Sequence, residues 1–405
     1  MNKVSVRTIK QQIQMWFGKT TVAETRDDLI SLPDVLQNQL IQEIRALSSP
    51  EAYQVFVREE LDQAIAAWQE NLDAPNSLVF LGSPVEAIAE VLNDSMEPWQ
   101  YEGIEVITPL SCVTRPKDSL KLTEQFSTAL KPYVQLNSEN QTSTDEELDS
   151  DDLDIRKTVV VIPCLEKCFL RCIGGWESIE YLRDMAIKHN DCFWVIGCSH
   201  WAWGFLNFVC QVSAYFSEIK SLPKLDGEML REWLNPVVKT MIATKEDADQ
   251  EDSSQDYWKS LADRALGVST IAASLWLQSL RVEENLMAAA EEEDQQDLSN
   301  LHLGETPQES QVITFQEVKP SLPSLPILES GDRYLLHSLL IHGQMTRAHL
   351  AFSLGQQENQ IQSQIQALLR AGLLERKNGE LLVSSSHYVR LKNELGNNNF
   401  FVGDD

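Results

Sequence analysis

The sequence predicts an α/β fold built on a doubly wound parallel sheet, and three observations lead to this prediction. Short apolar runs rich in β-branched residues alternate with helical patterns between residues 76 and 240. Such alternation is typical of strand–helix–strand units, which form parallel sheets with helices on both faces. The hydrophobic content of 43% over 405 residues is enough for a sizeable core and for two or three domains. On both sides of this α/β core, apolar residues follow helical spacing.

The first half of the chain is divided by this change of pattern. Residues 1–75 are predicted to be a helical N-terminal region, and residues 76–240 the α/β core. Within the core, residues 142–154 contain seven acidic residues and no aromatic residue, so we expect a disordered insertion there. The predicted strands are SLVFLG, IEVITPL, TVVVIP and CFWVIGCS.

The second half of the chain divides into four segments. Residues 241–282 are predicted to be helical, and residues 283–330 are an acidic and then proline-rich linker. Residues 331–397 combine three helical patterns with a hairpin signal at Asn378-Gly379, and this combination describes a winged helix. Residues 398–405 form a tail, and Phe400 and Phe401 are expected to dock on another protein or on the chain itself.

The charge of the chain restricts its partners and its location. A formal net charge of −28 disfavours binding to nucleic acid and to anionic membranes. The seven cysteines suggest no disulfide framework, and MNKVSVRTIKQQ lacks the features of a secretory signal, so we expect a cytoplasmic protein. The uncharged residues 192–216 are interpreted as a buried strand, a polar turn and a buried helix, and no transmembrane span is expected.

The stretch MWFGKTT, residues 15–21, looks like the end of a phosphate-binding loop. The full motif is G-x-x-x-x-G-K-[S/T] between a strand and a helix, where backbone amides, a lysine and a hydroxyl hold phosphate and magnesium. The motif would require a glycine at position 13, where the chain has Ile13, and no predicted strand precedes it. We therefore interpret Gly18 as the end of a helix.

The segment LVFLGSPVEAIAEVL, residues 78–92, has the correct order of strand, glycine turn and helix. With Gly82 as the first motif residue, Ile88 replaces the lysine and Ala89 replaces the hydroxyl residue. Neither side chain can neutralise phosphate or bind magnesium, and Glu86 adds a negative charge near the start of the helix. The backbone of the turn at Gly82 and Ser83 is what remains to accept a phosphate.

The order of these elements resembles the AAA+/STAND class of P-loop ATPases in a degenerate version. The resemblance covers residues 76–397 and implies a P-loop NTPase-like fold with a helical lid at 241–282 and a C-terminal winged helix. KTVVVIPCLEKCFLR resembles the Walker B strand, after which the class has carboxylates that act on magnesium and water. Here Pro163 and Cys164 occupy those positions, and Glu166 is the nearest carboxylate.

Three further segments extend the resemblance. CFWVIGCSHWAW resembles the sensor-1 strand with Ser199 at its polar position, and SLPKLDGEMLREWL resembles the start of the lid with Pro223 facing the nucleotide. LGVSTIAASLW resembles the sensor-2 helix, although Ser269 or Thr270 stands where an arginine is usual. The resemblance therefore implies a vestigial nucleotide site made of Gly82, Ser83, Glu166, Ser199 and Pro223.

Because the lysine, the hydroxyl and the Walker B acid are all replaced, the sequence favours a protein that is not an enzyme. We expect a non-catalytic interaction or regulatory protein that needs no cofactor and that contacts other proteins. The resemblance implies that these partners include an active paralogue or a larger assembly. Two alternatives stay open. One is an ATP-binding protein or ATPase with an atypical site around Gly82, Glu166 and Ser199, and the other is a winged-helix DNA-binding regulator.

DNA binding by the C-terminal residues and a metal site at the cysteines are two further functions that the sequence raises. Residues 331–405 contain seven basic and seven acidic side chains and thus lack the basic surface of a DNA reader, so no sequence-specific nucleic acid is expected. Cys164, Cys168 and Cys172, with Cys198 or His200, have a spacing that permits a metal site. Zinc sites more often use C-x₂-C knuckles on turns, so packing of small residues beneath the sheet is the favoured interpretation, and no metal is expected.

Overall fold

The computed structural model describes residues 29–241, 251–283 and 315–403, except 100, 102, 110–114, 116–120, 122, 126, 130 and 132–155. The MWFGKTT stretch and the acidic residues 142–154 therefore lie outside the described residues. The chain divides into two compact units. The sheet unit comprises 48–225, 266–271 and 322–405, and the helical unit comprises 1–47, 226–265 and 272–321.

The helices and strands are numbered here in chain order. The helices are α1 (Asp34–Arg45), α2 (Glu51–Glu70), α3 (Ile88–Met96), α4 (Glu177–Lys188), α5 (His200–Cys210), α6 (Gly227–Met241), α7 (Glu251–Arg264), α8 (Ser269–Ser279), α9 (Ser330–His342), α10 (Arg347–Ser353), α11 (Glu358–Arg370) and α12 (Tyr388–Asn397). The strands are β1 (Leu29–Ser31), β2 (Ser77–Gly82), β3 (Glu105–Ile107), β4 (Thr158–Ile162), β5 (Cys192–Ser199), β6 (Ile219–Ser221), β7 (Leu280–Glu283), β8 (Phe315–Glu317), β9 (Leu374–Lys377) and β10 (Glu380–Val383).

A five-stranded parallel sheet forms the centre of the sheet unit, with the strand order β3-β4-β5-β2-β6. The predicted α/β class with a parallel sheet is therefore confirmed. Strand β2 lies between β5 and β6, and Gly82 at its end is paired in register with Ser199 at the end of β5. In open parallel sheets, ligands bind beyond the carboxyl ends of strands where the strand order reverses, so this edge is where a site is expected.

Helices cover both faces of this sheet, and the strands are accordingly apolar on both sides. On one face, Val79 and Trp194 pack in a common core with Leu182 of α4 and Leu206 of α5. On the other face, α2 contributes aromatic rings to the strands. The Phe56 and Phe80 ring centroids are 6.3 Å apart, and those of Trp68 and Phe193 are 5.5 Å apart. This double burial explains why the strands are continuous apolar runs rather than alternating ones.

The uncharged stretch 192–216 consists of strand β5 followed directly by helix α5 and a short 3-10 turn at Val212–Ala214. The predicted strand and helix are thus confirmed. The predicted polar turn between them was wrong, because residues 197–199 belong to the strand and Ser199 directly caps α5. Among the residues that the structure describes, no helix combines the length and the apolar character needed to cross a membrane.

The helical unit contains a small antiparallel sheet that the sequence did not predict. Its strand order is β1-β7-β8. Residues 29–31 fall in the range predicted to be entirely helical, and residues 315–317 fall in the predicted linker, so both predictions were wrong at these positions. Strands of three residues are too short to show the alternation on which strand prediction depends.

The C-terminal residues of the sheet unit contain α9, α10 and α11 followed by the hairpin of β9 and β10. Asn378 and Gly379 both have positive φ, 54° and 84°, as the tight hairpin turn requires, and this confirms the predicted hairpin. Thr346 caps α10 by accepting a hydrogen bond from the His349 amide at 3.2 Å. The segment after the hairpin forms helix α12.

Candidate functional site

The loop after β2 connects Gly82 to helix α3 and corresponds to the predicted phosphate loop. A side chain added at Gly82 would meet the methyl groups of Ile88 and Leu222 at 3.5 Å, which is ordinary van der Waals contact. Ile88 is 2% exposed, so the residue in the lysine position packs in the core. Apolar side chains therefore stand against the Gly82 backbone, and the glycine itself is not required by any close approach.

The Glu86 carboxylate accepts hydrogen bonds from donors on both sides of this loop. The Ser269 hydroxyl lies 2.8 Å from each carboxylate oxygen, and the Ser269 amide donates to Oε2 at 3.0 Å. The Ala87 amide donates to Oε1 at 3.2 Å. Burial raises the pKa of the Glu86 carboxyl, and these hydrogen bonds oppose that shift.

Ser269 is the first residue of α8, so its amide belongs to the positive end of that helix. A helix N-terminus of this kind is a ready-made anion site, and here the anion is a carboxylate of the same chain. A second contact fixes the arrangement, because the Thr270 hydroxyl donates to the Val85 carbonyl at 2.9 Å. The loop after β2 is thus bound to the start of α8, and we call Val85, Glu86, Ser269 and Thr270 the carboxylate clasp.

Tyr53 of α2 completes the surroundings of the clasp. Its hydroxyl lies 3.3 Å from Glu86 Oε2 and 3.3 Å from the Gly267 carbonyl oxygen. Burial, and then the charge of Glu86, raise the pKa of Tyr53, so the phenol keeps its proton and remains a donor. The Gly267 backbone has a φ of 72°, and the turn before α8 depends on this left-handed conformation.

The turn after β4 corresponds to the predicted Walker B position. Glu166 lies in a 3-10 turn at Leu165–Lys167 and is buried. Its Oε2 atom has no hydrogen-bond partner among the described residues, and burial raises the pKa of this carboxyl. A side chain added at Gly343 would lie 3.8 Å from the Glu166 Cγ, so the C-terminal residues cover this acid.

Charged side chains close the turn from the C-terminal side. Lys167 Nζ and Glu380 Oε2 form an ion pair of 2.9 Å, and the two side chains are only 9% and 11% exposed. Arg115 donates to the Glu166 carbonyl and, at 3.3 Å, to the Gln344 carbonyl. These contacts enclose Glu166.

Two histidines of α9 contact Arg171, which follows this turn in the chain. His342 Nε2 accepts from the Arg171 amide at 3.1 Å, and burial lowers the pKa of His342 well below its usual value. His337 Nε2 lies 2.9 Å from the Phe401 carbonyl oxygen, so it is the donor, and Nδ1 faces Arg171 Nη1 at 3.4 Å. Burial lowers the pKa of His337 to about 4. Both histidines are therefore neutral near pH 7.

The other predicted site residues have different surroundings. Ser199 Oγ accepts the Ala202 amide at 3.1 Å as the cap of α5. Ser83 is buried and its hydroxyl has no partner among the described residues. Pro223 is half-buried in the segment between β6 and α6, whose Leu222 amide donates to the Leu81 carbonyl at 2.8 Å. The structure thus brings Gly82, Ser83 and Ser199 to one sheet edge. Glu166 lies beside Ser199 at this edge and is enclosed by C-terminal residues.

The cysteines of the predicted metal interpretation form no disulfide bond among the described residues. Cys164 and Cys168 are buried, and the Cys168 thiol points to the Cys164 carbonyl oxygen. Across the part of the chain that the structure describes, no group of three or more potential ligands is arranged to hold a metal ion.

The sequence missed several participants in these two sites. Tyr53 lies on a helix whose apolar spacing gave no signal other than burial. Arg115 and His342 also gave none, because their partners are distant along the chain. Glu86 was recognised only as an obstacle to phosphate, and Ser269 only as a replacement for an arginine. Their direct hydrogen bond links residues 183 positions apart.

Comparisons with known proteins gave weak likenesses only. No family model and no curated protein matches the chain. The Thermotoga maritima RuvB Holliday junction branch migration motor is 17% identical, with a TM-score of 0.32 over 84% of this chain and 94% of that one. Cdc6p from Pyrobaculum aerophilum is 12% identical, with a TM-score of 0.34 over 86% and 99%. The Aeropyrum pernix ORC2 protein is 12% identical, with a TM-score of 0.38 over 82% and 91%. TM-scores this low carry no argument about the fold. The fold is established by the five-stranded parallel sheet described above.

Proposed function

We propose that this chain is a non-catalytic AAA+/STAND-like protein that acts through contacts with other proteins. The observation that carries the proposal is the carboxylate clasp. Glu86 occupies the N-terminus of α8 at 2.8–3.0 Å from the Ser269 donors, in the loop where the related motif holds phosphate. A nucleotide would have to displace a carboxylate that is already hydrogen-bonded and would bring a second negative charge beside it.

The remaining chemistry of the loop supports the same conclusion. Ile88 packs in the core where a lysine would neutralise phosphate. Phosphoryl transfer depends on positioning and on neutralisation of charge, and the motif position that would supply the cation holds Ile88. The carboxylate nearest to the magnesium position, Glu166, is enclosed beneath Gly343.

The test is a titration of the whole chain with a fluorescent ATP analogue, with and without magnesium, together with a phosphate-release assay. We expect no saturable binding below about 1 mM, which corresponds to about 4 kcal/mol of binding free energy. We expect no magnesium-dependent phosphate release. Micromolar binding that requires magnesium would overturn the proposal. The variant Glu86→Ala is a useful companion, because it removes the carboxylate but supplies no lysine, and we expect it to stay below the same limit.

A second candidate function is the binding of ATP at an atypical site without the usual lysine. The observation that favours it is the buried Ser83 hydroxyl, which has no partner among the described residues and lies one position after Gly82. A phosphate oxygen would satisfy such a donor. If the titration gives saturable binding and Ser83→Ala abolishes it while Ser95→Ala does not, this second function replaces the first.

A further inference from the structure

Helix α5 is predominantly apolar, with His200 and Asn207 as its polar residues. Its eleven residues, HWAWGFLNFVC, include no Asp, Glu, Lys or Arg. A helix of this composition is ordinarily buried on all sides. One side meets this expectation, because Ala202, Trp203 and Leu206 belong to the core beneath the main sheet.

The opposite side of α5 carries Trp201, Gly204, Phe205 and Phe208, which helical spacing places on one face. C-terminal residues cover its first turn. Trp201 Nε1 donates to the Tyr388 hydroxyl at 2.9 Å. The Phe401 ring lies only 2.2 Å from the position of a side chain on Gly204, so the ring occupies the space that the glycine leaves open. The tail therefore docks on its own chain.

This intramolecular cover ends before the last turn of the helix. Phe208 is 88% exposed, although its face continues directly from the covered part. Phe205 is half-buried, with its ring centroid 5.7 Å from that of Phe169 and 6.4 Å from that of Trp176. Phe401 itself is 45% exposed. We call Trp176, Phe205, Phe208 and Phe401 the aromatic face.

The surroundings of the aromatic face are negative where α5 ends. The last turn has no basic residue, so its free carbonyl groups keep their partial negative charge. Glu177 and Glu180 stand in the first turn of α4, directly after Trp176 of the aromatic face. Glu180 also contributes, after burial, to the raised pKa of the Cys210 thiol in the last turn of α5. Arg183 of α4 is already engaged by the Asp184 carboxylate at 2.8 Å and by the ring of Tyr215.

We propose that the aromatic face binds a helical segment of another protein, with apolar residues of that segment on Phe208 and lysine or arginine near Glu180. This inference rests on the proposed function and adds a surface and a partner chemistry to it. Aromatic side chains in the open centre of an apolar surface are typical of interaction sites. The net charge of −28 opposes a second copy of this chain and favours a basic partner.

The experiment measures the affinity of the full chain for a fluorescein-labelled amphipathic peptide of leucine and lysine by fluorescence anisotropy. Phe208→Ser removes the exposed ring without disturbing the core. We expect it to weaken binding about tenfold, as loss of a central aromatic contact does. The matched control is Phe352→Ser on α10, which removes a ring that is 55% exposed elsewhere, and we expect a change of less than about twofold.

A second variant and a second peptide test the charge. Glu180→Gln is expected to weaken binding of the lysine peptide, and a peptide with glutamate in place of lysine is expected not to bind. Equal affinities for the wild type and Phe208→Ser would overturn the proposal. A dimer that forms without peptide and is lost in Phe208→Ser would also overturn it, in favour of a second copy. The peptide assay does not measure nucleotide binding. A negative result in it would overturn this inference without changing the result of the ATP titration, which tests the proposed function.

Discussion

The loop after β2 and the turn after β4 each place one carboxylate at the same edge of the sheet. The surroundings of these two carboxylates differ. Glu86 accepts hydrogen bonds from the Ser269 and Ala87 amides and the Ser269 hydroxyl. Glu166 is buried with one oxygen unpartnered, and charged neighbours form their own pair between Lys167 and Glu380. The comparison teaches that two carboxylates at one sheet edge are held by different means: one by a set of hydrogen bonds and the other by a covered packing contact.

The largest effect is expected from the ion pair that closes the turn after β4. Lys167→Met leaves Glu380 buried without its cation, and we expect a loss of about 3–5 kcal/mol in the free energy of unfolding, measured by urea denaturation. The double variant Lys167→Met with Glu380→Leu should recover most of that loss, because no unpaired charge remains.

An exposed ion pair serves as the control for this prediction. Arg347 and Glu358 form a 2.6 Å pair in which both side chains are about half exposed. Arg347→Met should cost less than about 1 kcal/mol. A similar small cost for Lys167→Met would mean that the turn after β4 is not closed by its ion pair.

The carboxylate clasp is expected to give the next largest effect. Glu86→Ala leaves the Ser269 amide, the Ser269 hydroxyl and the Ala87 amide without their acceptor. We expect the free energy of unfolding to fall by about 1–3 kcal/mol. Glu90→Ala, on an exposed position of α3, should change it by less than about 0.5 kcal/mol. If both variants behave alike in urea, the hydrogen bonds of the clasp do not stabilise the loop.

Removal of the Glu166 carboxylate should increase the free energy of unfolding rather than lower it. Burial raises the pKa of Glu166 above its ordinary 4.5, so the stability that this group contributes is present below pH 4.5 and is lost as pH rises through the raised value. Gln does not ionise, so Glu166→Gln should gain on the wild type by about 1.4 kcal/mol for each unit of the shift. Urea unfolding at about pH 4 and about pH 8 measures the difference, and a difference that is constant with pH would contradict the prediction.

The smallest effect is expected at Gly82. Its added side chain would make only ordinary contacts at 3.5 Å, so Gly82→Ala should be neutral or stabilising by up to about 1 kcal/mol. Gly267→Ala is the matched control, because Gly267 has positive φ and its added side chain would meet the Leu225 amide at 2.9 Å. It should destabilise by more than about 1 kcal/mol. A large cost at Gly82 in thermal unfolding would show that the loop still needs its glycine.

Prediction from sequence succeeded where the signal was local. The continuous apolar runs predicted parallel strands with covered faces, and Asn378-Gly379 predicted the hairpin. It failed for β1, β6, β7 and β8, because strands of three or four residues show no period. Of the five residues predicted as a vestigial site, Gly82 and Ser199 end neighbouring strands, and Glu166 is covered by C-terminal residues. The sequence predicts where a strand ends. It does not predict which distant segment packs over that end, as the residues around Gly343 do over Glu166.

The sequence by itself determined the α/β core and the absence of a lysine and a hydroxyl at positions 88 and 89, because both are written in neighbouring residues. Only the tertiary structure decided what replaced them. Tyr53 and Ser269 meet Glu86 from 33 and 183 residues away, and Glu380 meets Lys167 from 213. The physical reason is that periodicity reports backbone conformation and burial of one segment. The partner of a buried polar atom depends instead on which distant segments pack against it.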